Sequence, residues 1–319
     1  MEKQIAYRKN FTVKKKRKFT VQAIKKDMKK NYSIYLLLVP VLIYYILFNY
    51  APMYGAIIAF KRYSPAMGIM GSEWVGLQYF KQFLTSPYFA GVMKNTIILS
   101  LYSVIFGFPA PIILALMLNE VRKSWLKRSI QTLSYLPHFI SMVVICGLIR
   151  NFVASDGLIM QVAQIFGLEP TNLLMHKEYF RSIYIISDIW QGIGWDSIIY
   201  LAALAGVDNE LYDAAIVDGA GRWKQTLYVT IPGIMPTIIV MFILRLGGIL
   251  GVNGEKVILL YNDLIMDTAD VIGSFTYRKG LLEQNYSYSA AVGLFMSVIN
   301  FIFITAANKA SKKAGYNLW

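Results

Sequence analysis

Four windows of this chain contain no Asp, Glu, Lys or Arg: residues 31–60, 95–119, 129–149 and 284–308. Each reaches the roughly 20 apolar residues that a helix needs to cross the ~30 Å hydrocarbon layer of a bilayer. In lipid every backbone N–H and C=O must be satisfied internally, so apolar runs of this length are restricted to helices. Two further segments are hydrophobic but carry charge: 182–206 holds Asp188 and Asp196, and 234–252 holds Arg245. The expectation is an all-α polytopic membrane protein with six transmembrane helices. Pro40, Pro109, Pro111 and Pro236 fall within these segments as kinks or helix starts. Charged residues make up 16% of the chain, well below the roughly 25% of a soluble domain.

The basic residues orient the segments, because cytoplasmic loops carry an excess of Lys and Arg. With the N-terminal tail inside, the inner stretches 119–129, 208–232 and 308–319 hold nine Lys/Arg in 48 residues. The outer stretches 61–90, 154–181 and 253–287 hold eight in 93. Both termini are therefore expected in the cytoplasm. Residues 1–30 contain 12 Lys/Arg and two acids, so most of the net charge of +14 sits in the tail. A basic tail before an apolar span reads as a topology signal and a contact with anionic membrane lipids. No aromatic interleaving accompanies it, so nucleic acid is not an expected partner. It is also too long, and its hydrophobic run too extended, for a cleaved signal peptide.

Catalytic chemistry finds little to work with. The one cysteine, Cys146, lies in an apolar run and reads as a packing residue. His138 and His176 have no partners at metal-ligand spacing. No HExxH, GxSxG or paired-carboxylate pattern is present, and the absence of GxxxxGK[ST] excludes ATP binding by a P-loop.

One inner stretch is too polar to span and too patterned to be slack: "LYDAAIVDGAGRWKQTLYVTIP", Leu211 to Pro232. Leu211, Ala214, Ala215 and Val217 fall on helical spacing after Asp208, a candidate N-cap. Gly219 and Gly221 are expected to break that helix and allow a reversal. A second short helix is expected over 222–229, with Pro232 closing it and opening the next span. Such a module suits either a protein partner or a rest on lipid headgroups, and the residues alone leave both open. The outer stretch 253–287 includes "VIGSFTYRKGLLEQNYSYS", which is expected to form a short external helix and turn.

This stretch resembles the EAA loop of permease subunits in binding-protein-dependent ABC importers: Asp213, Ala214, Ala215, Gly219 and Pro232 fit its pattern, with Asp in place of the commoner Glu. "GSEWVGLQYF" (Gly71–Phe80) and Asn95–Thr96 resemble the first part of sugar permeases. "YNDLIMDTADVIGSFTYRKGLL" (Tyr261–Leu282), "YSYSAAVGLF" (Tyr286–Phe295) and Trp319 resemble a subgroup associated with complex-oligosaccharide uptake.

The resemblance implies a type I ABC importer permease fold in a prokaryotic cell membrane. It implies a basic tail over 1–32 and a permease domain over 33–319, with its core at about 92–308 and the coupling loop at 208–232. The chain would be no enzyme and bind no cofactor; ATP would be bound by two separate ATPase subunits. A second related permease, giving a heterodimer, and an extracellular solute-binding protein complete the implied assembly. Its substrate would be a carbohydrate, in particular an oligosaccharide. Other readings are a permease for a peptide or other small solute and an ATP-independent secondary transporter or channel. The latter shows internal repeats, and none is seen between the two halves. In the implied assembly Asp213 orients the coupling helix or pairs with a basic partner, Ala214 and Ala215 permit close approach, and Gly219 makes the turn.

Arg245 lies 11 residues and Asp196 ten from the inner ends of their segments, near mid-bilayer at about 1.5 Å per residue. Ionisable groups at that depth face a cavity or pair up. The two are expected either to pair or to line the translocation path with Trp190 and Trp195, whose faces suit sugar rings. The alternative is a structural ion pair with ordinary packing aromatics.

Overall fold

Three prolines set the local geometry of the long helices. Inside a helix proline has no N–H to donate, and its ring crowds the carbonyl four residues back. In the computed structural model, which describes residues 21–313, three helices meet this demand in one way. The residue before the proline donates to the carbonyl five residues back, and one π turn forms. Ala51 donates to Ile46 ahead of Pro52, Phe108 to Ser103 ahead of Pro109, and Ile231 to Thr226 ahead of Pro232. The helices therefore continue through these prolines.

In chain order the principal helices are α1 (Val21–Lys30), α2 (Tyr32–Phe60), α3 (Gln78–Leu84), α4 (Phe89–Glu120), α5 (Ser124–Phe139), α6 (Met142–Phe152) and α7 (Leu158–Ile165). They continue with α8 (Lys177–Leu204), α9 (Asn209–Val217), α10 (Arg222–Gly247), α11 (Gly254–Leu260), α12 (Met266–Ala269), α13 (Ile272–Tyr277) and α14 (Tyr286–Lys313). A hairpin of β1 (Lys61–Arg62) and β2 (Glu73–Trp74) pairs Lys61 with Trp74. Two compact units result, Met1–Ala56 and Ile57–Trp319. The first 20 residues of the basic tail and Trp319 lie outside the described residues.

Helices α2, α4, α10 and α14 are long and apolar enough to cross a membrane, with mean hydropathy of 2.0 to 2.2. The straight span expected over 129–149 does not form. Instead α5 and α6 meet at 106°, because Pro137 opens a tight 3₁₀ turn over Leu136–Phe139 and Ser141 is extended at the N-cap of α6. No residue of Ser124–Tyr135 is buried, and Trp125, Leu133 and Leu136 are exposed. Helix α8 has 28 residues, about 42 Å and enough to cross, but its polar residues keep it out of the strongly apolar set. Four to five apolar crossings are thus evident among the described residues.

Within 253–287 the expected short helix forms as α13 (Ile272–Tyr277), which runs on through a π turn over Arg278–Leu282 before the chain turns at Gln284, and much of the stretch packs inside the protein. Val257, Leu260, Ile265, Ala269, Val271, Ile272 and Phe275 are at most 3% exposed and form the centre of the core. Two glycines permit this: a Cβ on Gly254 would lie 2.8 Å from the Gly273 carbonyl carbon, so only bare backbones can cross there. Asn95 and Thr96 of α4 hold the crossing in place. Asn95 Nδ2 donates to the carbonyls of Asp267 (2.8 Å) and Asp270 (3.1 Å), and the Ile272 N–H donates to Thr96 Oγ1 (3.0 Å). Arg181 of α8 donates to Asn95 Oδ1 at 3.0 Å, and Arg278 pairs with Asp270 at 2.6 Å. Burial works against the Arg278 charge, but Asp270 and Tyr261 together outweigh it and hold the guanidinium above its ordinary pKa.

Candidate functional site

The module between α8 and α10 begins as its residues require. Asp208 caps α9 by accepting from the Glu210 N–H at 3.0 Å. At the other end Gly219 has φ +74°, the left-handed geometry that favours glycine. Its N–H donates to Ile216 (3.0 Å) and the next, Ala220, to Ala215 (2.8 Å), the paired bonds of a Schellman stop. Gly221, expected to share in the break, has φ −67° and merely precedes the next helix. The second short helix ending at Pro232 does not exist as a separate element: α10 runs from Arg222 to Gly247, and its π turn over Thr226–Thr230 absorbs Pro232.

Side chains fix α9 to the base of α10. Tyr212 Oη and Thr230 Oγ1 lie 3.0 Å apart, and Gln225 Nε2 donates to the Ala220 carbonyl at 2.7 Å. Arg222 reaches Glu120 at the end of α4, 3.1 Å away. The outer face of α9 stays bare: no residue of it is buried, Val217 is 87% exposed, and Leu211, Ile216 and the following Trp223 are exposed too. Asp213 and Ala214 lie on the exposed surface, Ala215 is half-buried, and Pro232 sits inside α10. A helix this bare, with large apolar side chains left open at its end, leaves surface free for a contact.

The second candidate lies higher in the same bundle. Leu204 of α8 and Ile234 of α10 share one packed layer with Ala115 and Tyr200. Counted from that layer at 1.5 Å per residue, Asp196 stands about 12 Å up and Arg245 about 16 Å. Both are exposed in the chain. They line a common cavity of about 280 Å³ with His138, Asp188, Gln191 and Gly107. Arg245 also lines an adjoining cavity of about 340 Å³ with Ser100, Ser103, Tyr184, Asp188 and Asn253. Its guanidinium donates to Ser103 Oγ, on the π turn that Pro109 creates.

Arg245 and Asp196 are thus brought to one cavity, yet no ion pair between them occurs among the described residues. Trp195 stacks on His138, ring centroids 4.5 Å apart, at the edge of that cavity. Trp190 is elsewhere, in an apolar groove of about 430 Å³ with Leu148, Phe152 and Tyr179. The pair that does form is Asp188 with Lys256, 3.4 Å apart, with the Lys256 ammonium also bonded to the Tyr184 carbonyl (3.2 Å) and lying 4.8 Å from the Tyr184 ring centroid. Sequence reasoning placed Lys256 in a loop, and its one local signal was Asn253, which caps α11.

With this geometry in hand, comparison with known proteins is informative. Residues 107–314 match the family described as binding-protein-dependent transport system inner membrane component. Protein LplB of Bacillus subtilis is 45% identical over 90% of both chains. The polygalacturonan/rhamnogalacturonan transport system permease protein YteP of the same organism is 44% identical over 88% of both. The structure of a bacterial ABC transporter involved in the import of the acidic polysaccharide alginate contains a chain 41% identical to this one. It superposes with a TM-score of 0.83 over 91% of this chain and 99% of that one.

Proposed function

The chain belongs to the family of inner membrane components of binding-protein-dependent transport systems, and from that premise we propose that it forms half of an ATP-driven import path for an oligosaccharide. A permease subunit of this family moves solute and catalyses no reaction itself. The saccharide rests on the substrates named for the relatives. Energy has to come from elsewhere, since the chain has no P-loop. Our reading supplies it from two ATPase subunits, pairs the chain with a related permease as a heterodimer, and delivers solute from an external binding protein. In this reading the chain crosses six times, counting α5–α6 and α8, with both termini and α9 in the cytoplasm.

The bare face of α9 carries this reading. Asp213, Ala214 and Ala215 are presented to an ATPase, and Gly219 and Pro232 set the angle at which α9 leaves α10. Helix α8 is unbroken from Leu204, a four-residue turn away from α9, to Asp196 and Asp188, so a push on α9 is felt at the cavity. Asp196 and Arg245 line the path there, with Trp195 beside them. Trp190 belongs to the path only if its groove opens toward the partner permease.

Gly219→Pro tests the coupling. Proline cannot reach φ +74° and removes the N–H bonded to Ile216. The variant is expected to insert at the normal level, as seen in membrane fractions, while losing ATP-driven uptake. Normal uptake would sink the assignment. Co-purification of an ATPase with the wild type, and its loss on Ile216→Asp, tests the partner.

A further inference from the structure

We propose that Arg245 is a carboxylate-binding residue through which this permease selects acidic oligosaccharides, with Ser100 and Ser103 as hydroxyl ligands to the same sugar unit. The inference rests on the saccharide reading above and narrows it.

The cation is the first ground. Arg245 is exposed in this chain near the end of α10, a helix apolar enough to cross a membrane, and within a span a charge faces water or a polar partner and not lipid. A guanidinium offers five donors in a planar fork that grips a carboxylate through two parallel bonds. Among the described residues only Ser103 engages that fork, and none of the ion pairs includes Arg245.

The neighbouring acids do not satisfy it. Asp188 lines the same 340 Å³ cavity but is paired with Lys256, whose side chain is fully buried. Asp196 shares the 280 Å³ cavity with Arg245 but lies beyond ion-pair distance. A carboxylate across the cavity has a use in a path: it accepts from sugar hydroxyls and tempers the hold on an acid, so that the ligand can leave.

The third ground is Ser100. It is 3% exposed, lines the 340 Å³ cavity, and its Oγ has no hydrogen-bond partner. Buried hydroxyls are nearly always satisfied, so this one points to a polar guest. The cavity lies within the roughly 300–1,000 Å³ of small-molecule sites. An acidic guest also agrees with the acidic polymer named for the alginate importer.

The test measures direct binding to the purified permease–ATPase complex without the solute-binding protein, so that the latter's selectivity plays no part. The probes are trigalacturonate, trimannuronate and their methyl esters, which keep the rings and linkages but lose the charge. The wild type should bind at least one acid more tightly than its ester. Arg245→Gln should weaken acid binding on the order of tenfold to a hundredfold, the worth of a charge-assisted hydrogen bond, and leave the ester unchanged. Arg245→Lys, which keeps the charge but not the fork, should show a smaller loss confined to the acid, and it serves alone if the glutamine variant fails to assemble. Ser100→Ala should weaken acid and ester alike. The proposal is overturned if Arg245→Gln weakens acid and ester equally, or changes neither while loosening the permease pair. It is also overturned if the wild type ignores both acids. ATP-driven uptake of a neutral trisaccharide, maltotriose, by the wild-type complex would in that event leave the saccharide reading standing, whereas uptake of no saccharide at all would remove both.

Discussion

Lys256 is fully buried, whereas the side chain of its partner Asp188 is 36% exposed. The two halves of this pair are therefore unequal. Removing Asp188 strands an ammonium with only the Tyr184 carbonyl and ring beside it, and an uncompensated buried charge costs about 3–5 kcal/mol. Removing Lys256 leaves a carboxylate that water reaches, at roughly 1–2 kcal/mol for lost packing and pairing. Asp188→Leu is accordingly expected to lower the thermal midpoint of the detergent-solubilised protein well below that of Lys256→Met. The double variant should recover most of the difference, because paired apolar groups of similar size replace a buried ion pair at little cost. Equal effects of the two single changes would show that Lys256 is not held by charge. The same asymmetry explains why this pair went unread in the sequence. A lysine eleven residues beyond Arg245, in a stretch with four glycines, has the look of a solvated loop. Only the crossing of Gly254 over Gly273 puts it inside.

At the scale of elements, what could be read depended on whether the deciding interaction was local. The N-cap at Asp208 and the left-handed stop at Gly219 are set by residues within a turn of one another, and both were legible. The charge-free window 129–149 reported hydropathy but not direction, so the 106° bend between α5 and α6 was hidden. Pro137 and Ser141 were its only local marks. Gly194 completes the account: a Cβ there would lie 2.1 Å from the Ser134 carbonyl, so α5 and α8 cross at bare backbone. Pro232 was read as a boundary because proline usually ends a helix; the π turn that carries α10 past it depends on the geometry of the whole helix. A prediction separates these two roles. If Pro232 only began a helix, alanine would be silent. If it maintains the π turn, Pro232→Ala lets α10 close into a regular α-helix and turns Arg222–Gln225, and α9 with them, relative to the span above. The variant is then expected to be at least as thermally stable as the wild type, since alanine is about 3 kcal/mol better than proline in a helix interior. ATP-driven uptake should fall nonetheless. A drop in stability together with uptake would mean that Pro232 serves packing.

For the whole molecule, the number of crossings decides which surfaces share a side of the membrane. The apolar helices α2, α4, α10 and α14 leave two elements undecided, the bent α5–α6 pair and the polar α8. If both cross, successive segments alternate sides: Trp125 lies inside, Leu168 outside, Val217 inside and Leu264 outside. If α8 does not cross, Leu168 and Val217 share a side. The chain suits a labelling test, because its one cysteine, Cys146, is 1% exposed and gives little background. The four positions are each at least 61% exposed, so a cysteine introduced at any of them is reachable by reagent. A membrane-impermeant maleimide applied to intact cells is expected to label Leu168→Cys and Leu264→Cys. Trp125→Cys and Val217→Cys should react only once the membrane is opened. Labelling of Val217→Cys in intact cells would place α9 on the solute side and remove the ATPase contact with it. Labelling of Leu168→Cys only after opening would instead strip α8 of its crossing, and with it the route from α9 to the cavity that Arg245 lines.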